Sequence, residues 1–252
     1  MTFKYAIMDD ETDTIIGHCT DVQVISLDED ELIEACVTEG FVPSKVDLNT
    51  HRQIHNIFLA LMDEQSNVLG GYYCYLEEPV SYKNLNSSNL YFIINSAARP
   101  TTREFQLWEY FRRGNLFKGN WLEFDYQGKI AWLRVVRMHS PSIDYMDVTQ
   151  GSYTINCRNI TDRSSLYIEL GEAINGPGGY YGSCLDSLHD CLCGGFGAVP
   201  PYKLIWEGFE YLVEWSVDQR CYSEHDNSMT LQAYIQEAIQ LLEEYGISNH
   251  KE

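Results

Sequence analysis

The chain has 252 residues and a formal net charge of −20, from 37 acidic and 17 basic side chains. A field of that sign repels nucleic-acid phosphates and anionic lipid and attracts a basic protein, so nucleic acid and membrane are not expected partners. Apolar and aromatic contents of 44% and 13% argue against a disordered chain, and no apolar run approaches the ~20 residues of a membrane span.

In chain order, residues 3–8 and 14–19 alternate in hydrophobicity around a polar turn at 9–13, which predicts a hairpin. A short helix is predicted over 28–39, where acids in the first turn suit the helix dipole. Residues 57–64 and 68–76 predict a second hairpin around Glu64-Gln65-Ser66-Asn67. Ala6-Ile7-Met8-Asp9 is similar to Ala60-Leu61-Met62-Asp63. This is either an internal duplication or two hairpins that share turn chemistry. Residues 90–95 read as another strand, and 121–126 with 129–138 as a third hairpin around Gln127-Gly128. The whole predicts a mainly β N-terminal domain, residues 1–148, of unassigned role. It holds no P-loop, Gly-x-Ser-x-Gly or His-Glu-x-x-His pattern. The pair Arg112-Arg113 reads as a solvated face.

Turn-rich stretches at 139–142 and 149–152 mark a boundary. Acidic density rises across it: residues 1–150 hold 22 acids and 12 bases, residues 151–252 hold 15 and 5. The second domain, 149–252, alternates strand and helix, which implies a small parallel sheet. A strand is expected at 153–157, then a helix capped by Thr161 or Asp162 and running to about Ile174. The loop 175–179 is too rich in Gly and Pro to stay helical. A helix starting at Tyr180 ends at Gly194-Gly195. Then come a strand at 202–206, a short helix at 207–212 and a long helix at 230–245. Only polar sequence follows, so a final strand is expected to be short or missing.

The segment Gly-Tyr-Tyr-Gly-Ser-Cys-Leu-Asp-Ser-Leu-His-Asp-Cys-Leu-Cys-Gly-Gly, residues 179–195, carries the functional signal. Leu185, Leu188 and Leu192 mark a buried side, which puts Asp186 and Asp190 together on an exposed edge. Like charges at that spacing cost a helix roughly 0.2–0.5 kcal/mol, and no Lys or Arg lies between Arg163 and Lys203. Spacing alone reads as a solvated face with two chance acids. The residue order says more. Tyr-Tyr-Gly-x-x-Leu-Asp-x-Leu-x-Asp-Cys-Leu resembles the inhibitory helix of the barstar family, the proteinaceous ribonuclease inhibitors. The similarity continues through Ile155-Asn156, Ile160-Thr161-Asp162, Tyr202-Lys203-Leu204-Ile205-Trp206 and the helix at 230–245.

The resemblance implies a barstar-like α/β domain and an immunity protein that blocks the active site of a ribonuclease-type toxin, one to one and without catalysis. It implies that Asp190 enters that active site and that Asp186 contacts the same basic cleft. Tyr180 and Tyr181 match tyrosines beside the helix, Gly194 a backbone contact, and Glu237 a charged contact on the last helix. His189 stands where the family usually has Trp, Cys184 where it often has Asn, and Gly195 where an aromatic is common, which thins the aromatic surface. The alternatives are an enzyme or small-molecule binder whose site lies in the β domain, and a scaffold. The first residues lack the basic and apolar regions of a secretion signal, so a cytoplasmic protein with free thiols is expected. Neither a cofactor nor a metal is expected. Cys191 and Cys193 do not face each other on a helix, and no second pair joins His189 to complete a ligand set.

Overall fold

Alternating sequence in the first part of the chain and strand–helix alternation in the second give two different sheets. The computed structural model describes residues 2–25, 33–45, 53–85, 89–94, 99–219 and 229–252. Contacts divide the chain into two units, Met1–Asn115 and Leu116–Glu252.

The first unit contains β1 (Tyr5–Asp9), β2 (Thr14–Cys19), β3 (Asp21–Ile25), β4 (Ala35–Glu39), β5 (Val42–Pro43), β6 (Gln53–Met62), β7 (Val68–Ser81) and β8 (Tyr91–Ile94). They form an antiparallel sheet in the order β3-β4-β8-β7-β6-β1-β2-β5. Aspartates set both predicted hairpin turns. Buried Asp9 accepts from the Glu11 amide at 3.1 Å and the Tyr82 hydroxyl at 2.6 Å. Asp63 accepts from the Gln65 and Asn67 amides at 2.9 and 2.7 Å, an Asx turn that closes β6 onto β7. The two similar tetrapeptides lie on neighbouring strands, with Ala6 opposite Ala60.

The helix expected over 28–39 is not formed at 35–39, which pair with β3 and β8 as β4; residues 28–32 of that expectation lie outside the described residues. Cys36 and Thr38 point inward at period two, and sheet pairing overrides the helical preference of the acids. Helix α1 (Thr102–Arg112) closes the unit, with Thr101 and Glu104 in a reciprocal capping box. Its Trp108 indole donates to the Tyr72 hydroxyl at 2.9 Å. Arg112 and Arg113 both pair with Glu109 at 3.0 Å.

The second unit contains α2 (Tyr126–His139), β9 (Ser152–Asn156), α3 (Arg163–Asn175), α4 (Leu185–Leu192), β10 (Lys203–Glu207), α5 (Phe209–Ser216), α6 (Leu231–Glu244) and β11 (Ser248–Lys251). Its sheet is parallel, in the order β11-β10-β9, as the α/β reading requires. The final strand is short but present. Its side chains are polar because it is an edge strand: Ser248, His250 and Lys251 are exposed, and the Trp206 indole donates to Asn249 at 2.9 Å.

The third hairpin expected in the N-terminal part is instead α2. Asp125 caps it by accepting from the Gly128 amide at 2.7 Å, which turns the Gln127-Gly128 pair into a first helical turn. Lys129, Trp132, Leu133 and Val136 are buried at helical spacing. Helix α2 packs on α3, where Lys129 Nζ lies 3.3 Å from the Asp162 carboxylate. Upstream of it, the Gly119 amide donates to the Glu172 carboxylate at 2.9 Å. The division between Asn115 and Leu116 thus falls well before the turn-rich stretch that suggested a boundary at 148/149. Part of that stretch runs beside residues 197–201, with the Val148 amide donating to Gly197 at 2.9 Å and the Gln150 amide to Pro201 at 2.7 Å.

Candidate functional site

Helix α3 ends at Gly176, whose φ of +79° is reached at low cost only by glycine. The returning chain presses so close to α3 that a Cβ at Gly171 would collide with the Gly179 carbonyl. That close approach fixes the depth of the next residues. Tyr180 is 5% exposed and Tyr181 is 0% exposed, so both side chains pack in the core. The Tyr181 hydroxyl donates to the Ala198 carbonyl at 2.8 Å and accepts from the Tyr202 hydroxyl at 3.4 Å. Burial pushes both phenol pKa values up, so both stay protonated as core hydrogen-bonding groups. The tyrosine pair is a floor beneath the acidic helix.

The acidic helix starts at Leu185, five residues later than the sequence suggested. Ser187 Oγ accepts from the Ser183 and Cys184 amides at 2.7 and 2.9 Å, which fixes the entrance to the helix. Leu188, Cys191 and Leu192 are buried, and burial raises the Cys191 thiol to about 12. Asp186, His189 and Asp190 are exposed on the other side. Asp190 is 77% exposed, and the His189 ring nitrogen approaches it at 3.9 Å. Among the described residues, neither aspartate forms an ion pair with Lys or Arg. Asp186 lies in the first turn, where the dipole favours an acid; Asp190 lies in the last, where it does not. Local stability alone therefore does not account for an acid at 190.

Three residues converge near the end of α4, of which Tyr245 and Asp147 carry no signal in the sequence. The Tyr245 ring, following α6, meets the His189 ring edge-on at 5.4 Å. The exposed Cys193 sulfur lies 3.8 Å from the Tyr245 hydroxyl. Asp147 accepts from the Gly195 amide at 2.9 Å and the Gly197 amide at 3.3 Å. These contacts join positions 48 to 56 residues apart, so no local motif announces them. Gly194 adopts φ +114° beside Asp147. Glu237 lies exposed on α6, which packs beside α4; among the described residues no hydrogen bond or ion pair joins it to Asp186 or Asp190. Among the described residues no three His, Cys, Asp or Glu side chains converge as a metal site. What the face offers chemically is two fixed negative charges and their acceptor oxygens.

Residues 151–248 match the family model described as Barstar (barnase inhibitor). The C-terminal part of the chain carries a barstar-family domain, and the N-terminal part matches no family model. No curated protein and no solved structure matches the chain.

Proposed function

We propose that the barstar-family domain makes this chain an immunity protein, which binds a cognate ribonuclease-type toxin one to one and blocks its active site with α4. The observation that carries the reading is the exposed pair Asp186 and Asp190, without a Lys or Arg partner among the described residues, on a helix anchored by buried Leu188 and Leu192. A ribonuclease active site holds phosphate and is therefore lined with cations. Two carboxylates on a rigid helix can occupy the phosphate positions, and carboxylate–Arg contacts can be bidentate. The carboxylates are held ready, so little ordering entropy is lost on binding. The net charge of −20 adds long-range attraction for a basic partner in the cytoplasm. On this reading His189, Gly194 and Glu237 border the contact, and Tyr180 and Tyr181 support it from below. The chain needs no catalysis and no cofactor to do this.

The experiment is titration of a barnase-type ribonuclease encoded beside this gene with the full chain and with Asp186→Ala/Asp190→Ala. Truncating one side of a desolvated, hydrogen-bonded charge pair costs about 2–5 kcal/mol, so the double variant is expected to lose inhibition by at least about 100-fold. High salt should slow association of the native chain. Undiminished inhibition by the double variant would remove α4 from the mechanism.

A further inference from the structure

The loop that follows Asp190 is made of residues that resist ordering. Gly194, Gly195 and Gly197 adopt φ values of +114°, +84° and +95°. Glycine loses more conformational freedom on ordering than any other residue. Left to itself, such a loop samples many conformations and is ordered only when a partner binds, at a cost to affinity. In this structure it is already held. Both Asp147 oxygens lie 2.9 Å from the Gly195 amide, and one also takes the Gly197 amide at 3.3 Å. Backbone amides turned toward one point form an anion nest, and here the anion is the chain's own carboxylate.

The segment that delivers Asp147 is itself fixed. The Tyr145 ring lies 6.3 Å from the Phe196 ring. The Val148 amide donates to Gly197, and the Val148 carbonyl accepts from the Val199 amide at 3.1 Å. A Cβ at Gly194 would lie 3.0 Å from an Asp147 oxygen, so glycine there leaves the carboxylate its room.

We infer that Asp147 is a positioning residue, which locks the glycine loop at the end of α4 in its binding conformation. It lies outside residues 151–248, so the lock is supplied by a part of the chain that the family match does not include. What the loop is locked for rests on the function proposed above; the lock itself does not.

The test uses the full chain with Asp147→Ala and Asp147→Asn, read by amide hydrogen exchange without a partner and by binding kinetics with barnase as the probe. In Asp147→Ala, exchange at Gly195 and Gly197 should rise about tenfold or more, the scale of one charge-assisted hydrogen bond, while exchange at Leu204 and Ile205 in β10 is unchanged. Asp147→Asn keeps a neutral acceptor and should fall between. Dissociation from barnase should quicken about tenfold in Asp147→Ala, with little change in association. Unchanged exchange at both glycines in both variants overturns the inference. So does a loss confined to association and equal in the two variants, because that is the signature of a direct charge contact. If Asp147→Ala raises exchange throughout the domain, Asp147→Asn decides by the difference between the glycines and β10. If the native chain does not bind barnase, that choice of toxin fails while the exchange comparison still decides the positioning role.

Discussion

Two carboxylates of the second unit show how surroundings divide buried from exposed acids. Glu172 is 4% exposed and accepts from the Gly119 amide. Burial raises its pKa above the usual 4.5, against the opposing effect of that amide. The folded chain therefore holds this proton more tightly than the unfolded chain does. The stability Glu172 contributes is greatest below about pH 4.5 and is lost as pH rises through the raised folded value. Glu172→Gln keeps an acceptor for Gly119 without a buried charge. Urea unfolding across pH 4.5 to 7 should show a flatter fall of stability in the variant, with no loss at neutral pH. An unchanged slope would mean that Glu172 is not the titrating group. Asp190 has the opposite setting, open to water. Its exposure was legible from leucine spacing around it. The depth of Tyr180 was not, because a motif gives residue identity and order, while depth depends on how closely α3 approaches at Gly171.

Elements were readable where local chemistry and packing agree. The Asp162 cap and the glycine stop after α4 satisfy both. Elsewhere a different signal dominates. The acids of 28–39 suggested a helix, but Cys36 and Thr38 alternate into a sheet. The polar tail leaves open whether a last strand is short or missing; it is short, because an edge strand pairs through its backbone and leaves side chains in water. The hairpin expected over 121–138 rests on Gln127-Gly128, which resembles a turn. The decisive group is Asp125, whose carboxylate satisfies the Gly128 amide. Asp125→Ala should cost about 0.5–2 kcal/mol, the usual range for a lost N-cap, measured by urea unfolding of the full chain. A cost near zero would show that packing on α3 fixes α2 without its cap. An eight-residue helix such as α4 is too short to be stable alone, so its acidic face depends on Leu188 and Leu192 being buried.

At the scale of the whole molecule, the question is where the barstar-family domain begins. The family match starts at residue 151, and turn composition suggested 148/149. The contacts instead place everything from Leu116 in one unit. Residues before 151 supply Lys129 for Asp162, the Gly119 amide for Glu172 and Asp147 for the glycine loop. Removing them takes Lys129 from Asp162, which keeps the Ser165 amide, and the Gly119 amide from Glu172. Stripping one partner from a buried charged pair typically costs about 3–5 kcal/mol, and Asp162 is partly exposed, so its share is smaller. Loss of the α2 packing surface adds to that. A domain stable by about 5–15 kcal/mol has little margin for such losses. We therefore predict that a fragment of residues 116–252 unfolds in one cooperative transition, and that residues 151–252 alone are several kcal/mol less stable. Equilibrium urea denaturation of the two fragments, followed by circular dichroism, decides it. Equal midpoints and equal slopes would show that the upstream helix only decorates the domain. A lower midpoint for 151–252, with native-like inhibition retained by 116–252, would make α2 a working part of the inhibitor.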